Sequence, residues 1–567
     1  MKVLGIVDAT QNSAACLVEN GEILACVQEE RLSRVKHCGG FPVLAIREVL
    51  RATDTRPGEI NVVRAGFSEY DLPLRLLSGV LNPGPTRMMD HPLEAVKVAG
   101  IEAYRRTVRS TPLVRLDTRL SKGLFGRRVR GTGLGAARVE HVNHHLSHVA
   151  ACHFTSGFDR ALALSIDAYG DGFSGGVYAC MGRDIERLSS FPLSASLGYF
   201  YGCITELLGM RFGFDEGKTM ALASYGKPLA YGRLKGLFSV DGLELRGDAV
   251  ALGGLSTIRY SRLLSGDRKR DIAASAQDVL EDVVTELVTN AMDETGLRNV
   301  ELSGGLFLNV KLNSRVAQLD GVDDVFVHPD AGDGGCAVGA ALSAFAPKGR
   351  LPRSRMDHAY LGPGAETPTL RDMERAFGRR VQVSEHADVA GLVGSELLPA
   401  GKLVGVYWGR MEHGPRALGN RSVLADPTNP ASPHRIRTTI KRRPEYQPFC
   451  QTVLDRDADA YIENPKGIDA PFMIIAFPAT ERSREDTPAV VHVDGSCRPQ
   501  VLSRDVNEPY YRLIEAFAGE TGVPVVLNTS FNRSGEPIVH TAEQAVNDLF
   551  EGGLDAVVIG DLIVERA

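Results

Sequence analysis

Between positions 402 and 449 the sequence leaves the chain few options. The run KLVGVYW (residues 402–408) is apolar and ends where glycines begin, which reads as a short buried strand. It feeds GRMEHGPRALGNRS, where Gly409, Gly414 and Gly419 permit tight backbone turns and Pro415 can start a helical turn. Arg410, Arg416, Asn420, Arg421 and Ser422 sit around those turns. Farther on, Ser432 is expected to cap and Pro433 to open a helix with an apolar side at Ile436 and Ile440, ending in Lys441-Arg442-Arg443. Two basic clusters flanking a glycine-rich turn suit a substrate with several phosphate charges, because guanidinium forks grip phosphate oxygens bidentately. The alternative is a solvated basic surface. The glycines, proline and asparagine interleaved with the charges favour the anion site.

A chain of 567 residues exceeds one core, so two or more domains are expected. Residues 346–369 (APKGRLPRSRMDHAYLGPGAETPT) are rich in proline, glycine and charge and read as the linker. Domains are therefore expected over 1–350 and 371–567, with 351–370 between them. The formal net charge of −6 weighs against a nucleic-acid partner. The nine cysteines are odd in number and form no CxxC pair, which suits buried thiols in a reducing compartment and not a disulfide frame or a zinc ribbon. Asp8 interrupts any signal-peptide core in MKVLGIVD, and no apolar run approaches the ~20 residues of a membrane span. A cytoplasmic chain with no membrane partner is expected.

From the N-terminus, residues 3–7, 14–18 and 23–27 read as strands, with Asn20-Gly21 as a hairpin turn. A strand, a small-residue loop and a hairpin are how actin-like ATPase folds begin. The charged run QEERLSRVKHCGGFP reads as a helix and loop, and on its residues alone as a solvated one. Arginines crowd positions 105–138; a solvated helical surface is favoured there over contact with an acidic substrate, although such irregular regions suit acceptor recognition. Apolar residues at helical spacing over 273–291 describe a core helix. In the second half, strands are expected at 402–408, 472–477 and 523–527.

The stretch VNHHLSHVAACH (residues 142–153) carries metal chemistry. If Asn143 caps a helix, His144 and His148 lie one turn apart on one face and can bind one transition metal. A pair needs further ligands. Asp167 ends the apolar strand 161–166 and precedes AYGDGFSGG, a hairpin shaped like a phosphate-approaching turn. Asp333 lies in HPDAGDGGCAVGAAL, where a glycine turn opens a small-residue helix whose N-terminus favours an anion or a metal–phosphate complex. Two histidines and two aspartates suit Fe²⁺, Mn²⁺ or Zn²⁺. Asp330 competes for the last place.

GRMEHGPRALGNRS with KRRPEYQPF resembles the C-terminal domain of the NodU/CmcH family of carbamoyltransferases. An EERxxRxKH run, FDEGKTMALASYG, VELSGGLFLNVKLN, DGSCRPQ and LNTSFNRSGEPIV extend the resemblance over nearly the whole chain. The resemblance implies an α/β architecture: an actin-like ATPase (TsaD-like) N-terminal domain and an α+β YrdC-like C-terminal domain. It implies His144, His148, Asp167 and Asp333 as ligands of a divalent metal, with Fe²⁺ favoured, and Mg²⁺ accompanying ATP. It implies a two-step reaction. Carbamoyl phosphate and ATP give carbamoyl adenylate in the C-terminal domain, and the carbamoyl group then passes to a small-molecule hydroxyl in the N-terminal domain, as in antibiotic biosynthesis. Arg416, Arg421, Lys441, Arg443 and Arg498 are expected on the phosphates, with Thr529 extending that anion site and Ser530 with Asn528 orienting the carbamoyl group. Lys218, Gly304, Gly305 and Asn309 are expected near the nucleotide, and a homodimer is allowed.

An attacking hydroxyl must lose its proton, so a general base is needed. Members of the family it resembles commonly carry His-Asp after the first strand, whereas this chain has Thr10-Gln11-Asn12-Ser13, and neither amide takes a proton at neutral pH. Asp8, Glu216 and Asp171 are the candidates, or the acceptor is an amine or a more acidic hydroxyl. Two other functions compete: tRNA threonylcarbamoyl transfer, disfavoured by the net charge and domain order, and a non-enzymatic nucleotide-regulated actin-like binding protein, disfavoured by the paired histidines beside a second anion domain.

Overall fold

The computed structural model describes residues 1–8, 11–68, 104, 111, 113–249, 255–348 and 355–567. β1 (Lys2–Val7), β2 (Ala14–Glu19) and β3 (Glu22–Gln28) form an antiparallel meander. β4 (Ile60–Ala65) runs parallel to β1 and β5 (Arg138–His141) parallel to β4, giving the order β3-β2-β1-β4-β5. β1 and β2 are buried along nearly their whole length, which is why they read as continuous apolar runs instead of alternating ones. Asn20 and Gly21 both take positive φ, as an Asn-Gly hairpin turn requires.

A second sheet repeats this plan. β6 (Arg160–Gly170), β7 (Phe173–Met181) and β8 (Asp184–Pro192) form a meander. β9 (Phe238–Asp241) and β10 (Glu244–Gly247) pair as a separate ribbon. β11 (Asn299–Ser303) then runs parallel to β6, and β12 (Asp324–Val327) parallel to β11, giving β12-β11-β6-β7-β8. Strand order and directions match those of the first sheet, a duplication that no sequence repeat announces.

Two helices lie between the sheets. The helix His144–Ser156 packs on β6 and β11, the helix Cys336–Leu342 packs on β1 and β2, and the two helices pack on each other. Gly339 permits that contact: a Cβ there would collide with the carbonyl of Ser147, and one on Gly5 with the carbonyl of Ala337. The core helix expected over 273–291 spans Lys269–Thr295 and buries Ala276, Leu280, Val283, Val284 and Leu287.

The other compact part is built on an eight-stranded sheet. Its strands are β13 (Val381–Glu385), β14 (Val404–Tyr407), β15 (Arg421–Ala425) and β16 (Cys450–Leu454), followed by β19 (Pro499–Leu502), β20 (Val525–Ser530), β21 (Ala556–Ile559) and β22 (Leu562–Arg566). The order is β13-β22-β21-β14-β15-β20-β16-β19. β17 (Phe477–Pro478) and β18 (Ser496–Cys497) form a small separate pair. Residues 472–476, expected within a strand, are buried but turn-rich, and Met473 at φ 53° breaks any extended run. Burial supplied the apolar signal there without pairing. Ser432 is the first residue of the helix Ser432–Ile436 and not its cap; Ala431 holds the cap position with no side-chain hydrogen bond.

By contacts, the chain divides into Met1–Glu29 with His37–Met356, and Glu30–Lys36 with Asp357–Ala567. Residues 357–369, expected inside the linker, are paired backbone of the second unit. Gly362 N donates to the carbonyl of Met411, Met411 N to that of Pro363, and Ala365 N to that of Gly409. The prolines and glycines of that stretch shape a packed segment and not a tether.

Candidate metal centre and anion-binding site

Asn143 caps its helix as expected, its side chain accepting from Leu146 N. This directs His144 and His148 toward Asp167 near the end of β6. His148 Nε2 lies 3.2 Å from Asp167 Oδ2 and 3.8 Å from Asp333 Oδ1; His144 Nε2 lies 3.5 and 3.9 Å from the same two atoms. All four side chains thus offer ligand atoms within 4.8 Å of one another. Donors held about 2.1 Å from one cation stand about 3–4 Å apart, so the set fits a single divalent ion. Neither ring nitrogen of His144 has a hydrogen-bond partner, although the ring is fully buried. Asp333 and not Asp330 belongs to the converging group, and Asp330 Oδ2 accepts from Gln28 Nε2 at 2.8 Å. Burial opposes charge on His148, but Cys336 and the Asp167 and Asp333 carboxylates outweigh it and raise its proton affinity well above the ordinary value. Asp167 is held far below the usual range by the two imidazoles, despite its own desolvation.

Sequence reasoning undervalued two residues here. Cys336 forms an alternative ligand group with His144 and His148, and its position opening a helix beside Asp333 was the available signal. Asp171 was a candidate base. Its Oδ2 instead accepts from His144 N at 2.7 Å, Ser68 N and Oγ at 2.9 Å, and Asn143 Nδ2 at 3.1 Å. That carboxylate fixes the start of the helix that carries His144 and His148.

The remaining expectations for this unit divide. Gly304 takes φ 96°, and a Cβ there would strike Ile166; one on Gly305 would lie 3.0 Å from Asp167 Oδ1. Both glycines therefore let backbone approach the cluster. Asn309 is spent otherwise: it caps the helix Val310–Ala317 and exchanges hydrogen bonds with Gln277. Lys218 pairs with Asp215 at 2.7 Å. Asp8 lies 3.4 Å from Arg128. Glu216, with Oε1 accepting from Gly213 N at 2.6 Å, is raised by burial to about 7. Gln11 lies against the same Gly213.

In the second unit the glycine-rich loop closes around Glu412, which is 2% exposed. Its Oε1 accepts from Leu418 N at 2.7 Å, Asn420 N at 2.9 Å and Arg421 N at 3.1 Å. Arg421 is buried inside the loop, donating from Nη1 to the carbonyls of Trp408 and Asn420 and lying 4.1 Å over the Tyr407 ring. It holds the loop instead of facing a phosphate. The other expected cations come together. Lys441 Nζ donates to Ser530 Oγ at 3.0 Å, to the Ser530 carbonyl, and to Asn532 Oδ1 at 2.9 Å. Burial, Arg443 and Lys36 lower its proton affinity well below the usual amine value. Burial and the charge of Arg498 push Arg416 down to about 9, and burial pushes Arg443 to about 10, so both stay charged at neutral pH. Arg443 stacks 4.0 Å over Phe449, and Arg498 Nε donates to Cys450 Sγ at 2.9 Å. Among the described residues no carboxylate pairs with Lys441, Arg443 or Arg498.

Asn528 is buried beside this group, donating to Thr452 Oγ1 and Tyr510 OH, while Thr529 takes the opposite face of β20. The charged run 28–37, expected as a solvated helix, places Arg31 at 3% exposure with Nη2 donating to the Gly414 carbonyl at 2.7 Å. Arg34 donates to the carbonyls of Ile538 and Pro537 at 2.6 and 2.9 Å.

Fold and sites define a class: an α/β protein of two units, one with a His₂Asp₂ group that fits a cation and one that brings Arg416, Lys441, Arg443 and Arg498 together. The chain belongs to the carbamoyltransferase family, residues 2–342 matching the family model of the carbamoyltransferase N-terminus and 395–566 that of the C-terminus. Nodulation protein NolNO of Sinorhizobium fredii is 34% identical over 565 residues, covering 98% of this chain and 79% of that one. A 3'-hydroxymethylcephem-O-carbamoyltransferase of Amycolatopsis lactamdurans is 34% identical over 266 residues, 47% of this chain and 48% of that one. A crystal structure of full-length HypF in a phosphate- and nucleotide-bound form aligns over 60% of this chain and 46% of its own at 15% identity, with a TM-score of 0.36. That score is too low to bear on fold or function.

Proposed function

We propose that this protein is an ATP-dependent O-carbamoyltransferase working in two steps. Carbamoyl phosphate first loses its phosphate to water. The resulting carbamate oxygen attacks the α-phosphorus of ATP and displaces pyrophosphate, and the carbamoyl adenylate then carbamoylates a small-molecule hydroxyl. The observation that carries this reading is the group Arg416, Lys441, Arg443 and Arg498 in the second unit. These basic side chains lie close enough to oppose one another's charge, an opposition that an anionic ligand relieves, and the ligands of this reaction carry several phosphate charges.

Lys441 and the three guanidiniums would hold the phosphates and stabilise the charge that develops as pyrophosphate leaves, an arrangement worth several kcal/mol per well-placed donor, about 3 in measured cases. Ser530 and Asn532, already bonded to Lys441, would orient the carbamate. In the first unit His144, His148, Asp167 and Asp333 fit a divalent cation, which when bound supplies Lewis-acid polarisation of the reacting phosphate or carbonyl. The duplicated sheet plan supports an actin-like ATPase fold for this unit.

Of the three candidate bases, Asp8 is paired with Arg128 and Asp171 accepts from four donors. Glu216 is assigned the role: burial raises its proton affinity to about 7, which suits a group that must accept a proton at neutral pH, and its Oε1 accepts from the N of Gly213, the residue that Gln11 lies against.

The test is incubation with ATP, Mg²⁺ and carbamoyl phosphate without an acceptor. Pyrophosphate release that requires carbamoyl phosphate and disappears in Lys441→Ala is the expected result. ATP binding with no pyrophosphate release would overturn the two-step reading.

A further inference from the structure

The helix Leu113–Gly131 borders a pocket of about 610 Å³ in the first unit, lined by Ser68, Val114, Arg115, Thr118, Arg119 and Lys122. At 100° per residue, positions 114, 115, 118, 119 and 122 share one face about 140° wide. Three of those five are cationic and none is acidic. Asp117, the acid within these turns, is buried and accepts from Tyr104 OH at 2.8 Å. Among the described residues no carboxylate pairs with Arg115, Arg119 or Lys122.

Ser68 ties this pocket to the metal cluster. Its N and Oγ both donate to Asp171 Oδ2, the oxygen that also accepts from His144 N. The neighbouring Phe67 stacks on the His144 ring, centroids 4.7 Å apart. One wall is thus joined through a single carboxylate to a metal-ligand residue, while the facing helix presents three positive charges and the apolar Val114.

We propose that this pocket seats the acceptor and selects hydroxyl compounds that carry a phosphate or carboxylate group. The word acceptor rests on the carbamoyltransferase reading; the anion selectivity rests on the pocket alone. Its volume lies in the range of small-molecule sites, about 300–1,000 Å³. Two guanidiniums one helical turn apart can each grip a phosphate or carboxylate bidentately, and Lys122 adds a point charge. Under the carbamoyltransferase reading, carbamoyl phosphate and ATP have their cations in the second unit, which leaves these three charges to the acceptor. Three cations over two turns, in a chain of net charge −6, are too few for a nucleic-acid track.

The full-length protein can be labelled with phenylglyoxal and the modified arginines mapped by mass spectrometry, with glucose 6-phosphate, glucuronate or glucose as probes. At 10 mM, either anion is expected to slow labelling of Arg115 and Arg119 by roughly fivefold or more, and glucose to leave it unchanged. Protection by one anion only would show which group the pocket takes. In Lys122→Glu the protection should shrink while unprotected labelling persists. Equal labelling with and without both anions, or equal protection by glucose, would overturn the proposal. Acceptor-free pyrophosphate release by the unaltered protein is a separate readout: its absence alongside anion-selective protection would sink the carbamoyl reading and leave the pocket's selectivity standing.

Discussion

Lys441 is surrounded by hydroxyl, amide and carbonyl oxygens, and its charge is opposed by burial and by Arg443 and Lys36. An amine so placed gains most when an anion arrives. Lys441→Ala is therefore expected to lower carbamoyl phosphate-dependent pyrophosphate release by about 10²–10³-fold, read as labelled pyrophosphate from γ-labelled ATP, with an unchanged circular-dichroism spectrum. Asp171 makes a contrasting case, since it lies outside the ligand group and orients His144 through its backbone N. Asp171→Ala is expected to weaken divalent-metal affinity by about 10–100-fold in a competitive chelator titration, as loss of a supporting shell does. The sequence showed residue types but not how each was spent. Arg416 and Arg421 lie five positions apart in one motif, yet one joins the cationic cluster and the other is consumed by carbonyls within its own loop. Composition cannot separate them, because both roles use the same guanidinium; burial decides.

At the scale of elements, the helix His144–Ser156 is fastened at both ends. Its start is held by Asp171. Near its end, His153 Nδ1 lies 2.9 Å from Glu301 Oε1 on β11, which also accepts from Ser156 Oγ at 2.7 Å. Removing one member of a buried ion pair strands the other, so Glu301→Ala is expected to cost about 3–5 kcal/mol in a denaturant titration. The pH dependence has a definite sign. Burial opposes the imidazolium of His153, but Glu301 and the Gly182 carbonyl raise its folded-state proton affinity above the ordinary 6.5. The pair's contribution is then full below pH 6.5 and fades as pH rises through the raised folded value. The stability gap between wild type and Glu301→Ala should narrow over that rise; a gap that widens would contradict the assignment. The capped histidine helix, the opening hairpin and the Asp-Gly turn after β6 were legible because local rules set them. The repeated sheet plan was not, since two different residue sets satisfy one hydrogen-bonding pattern. Residues 472–476 misled because burial alone mimics a strand.

Across the whole molecule, the second unit is discontinuous. Glu30–Lys36 belongs with Asp357–Ala567, and Arg31 and Arg34 occupy the carbonyls of Gly414, Pro537 and Ile538. A fragment beginning at residue 357 lacks them. Hydrogen bonds from charged donors contribute about 1.5–3 kcal/mol each, so such a fragment is expected to melt lower by on the order of 5–10 °C than the same fragment supplied with a 29–36 peptide. Calorimetry checks this, and identical melting with and without the peptide would show the segment to be dispensable.

This discontinuity also sets an order on synthesis. Arg31 leaves the ribosome early, but the carbonyls it serves, including that of Gly414, are translated hundreds of residues later. At about 5–20 residues per second that is roughly 20–80 s. For that interval the seven residues Glu30–Lys36 wait without the carbonyls that their arginines serve in the finished fold. The native arrangement of this segment is thus reached only after Gly414, Pro537 and Ile538 have been translated.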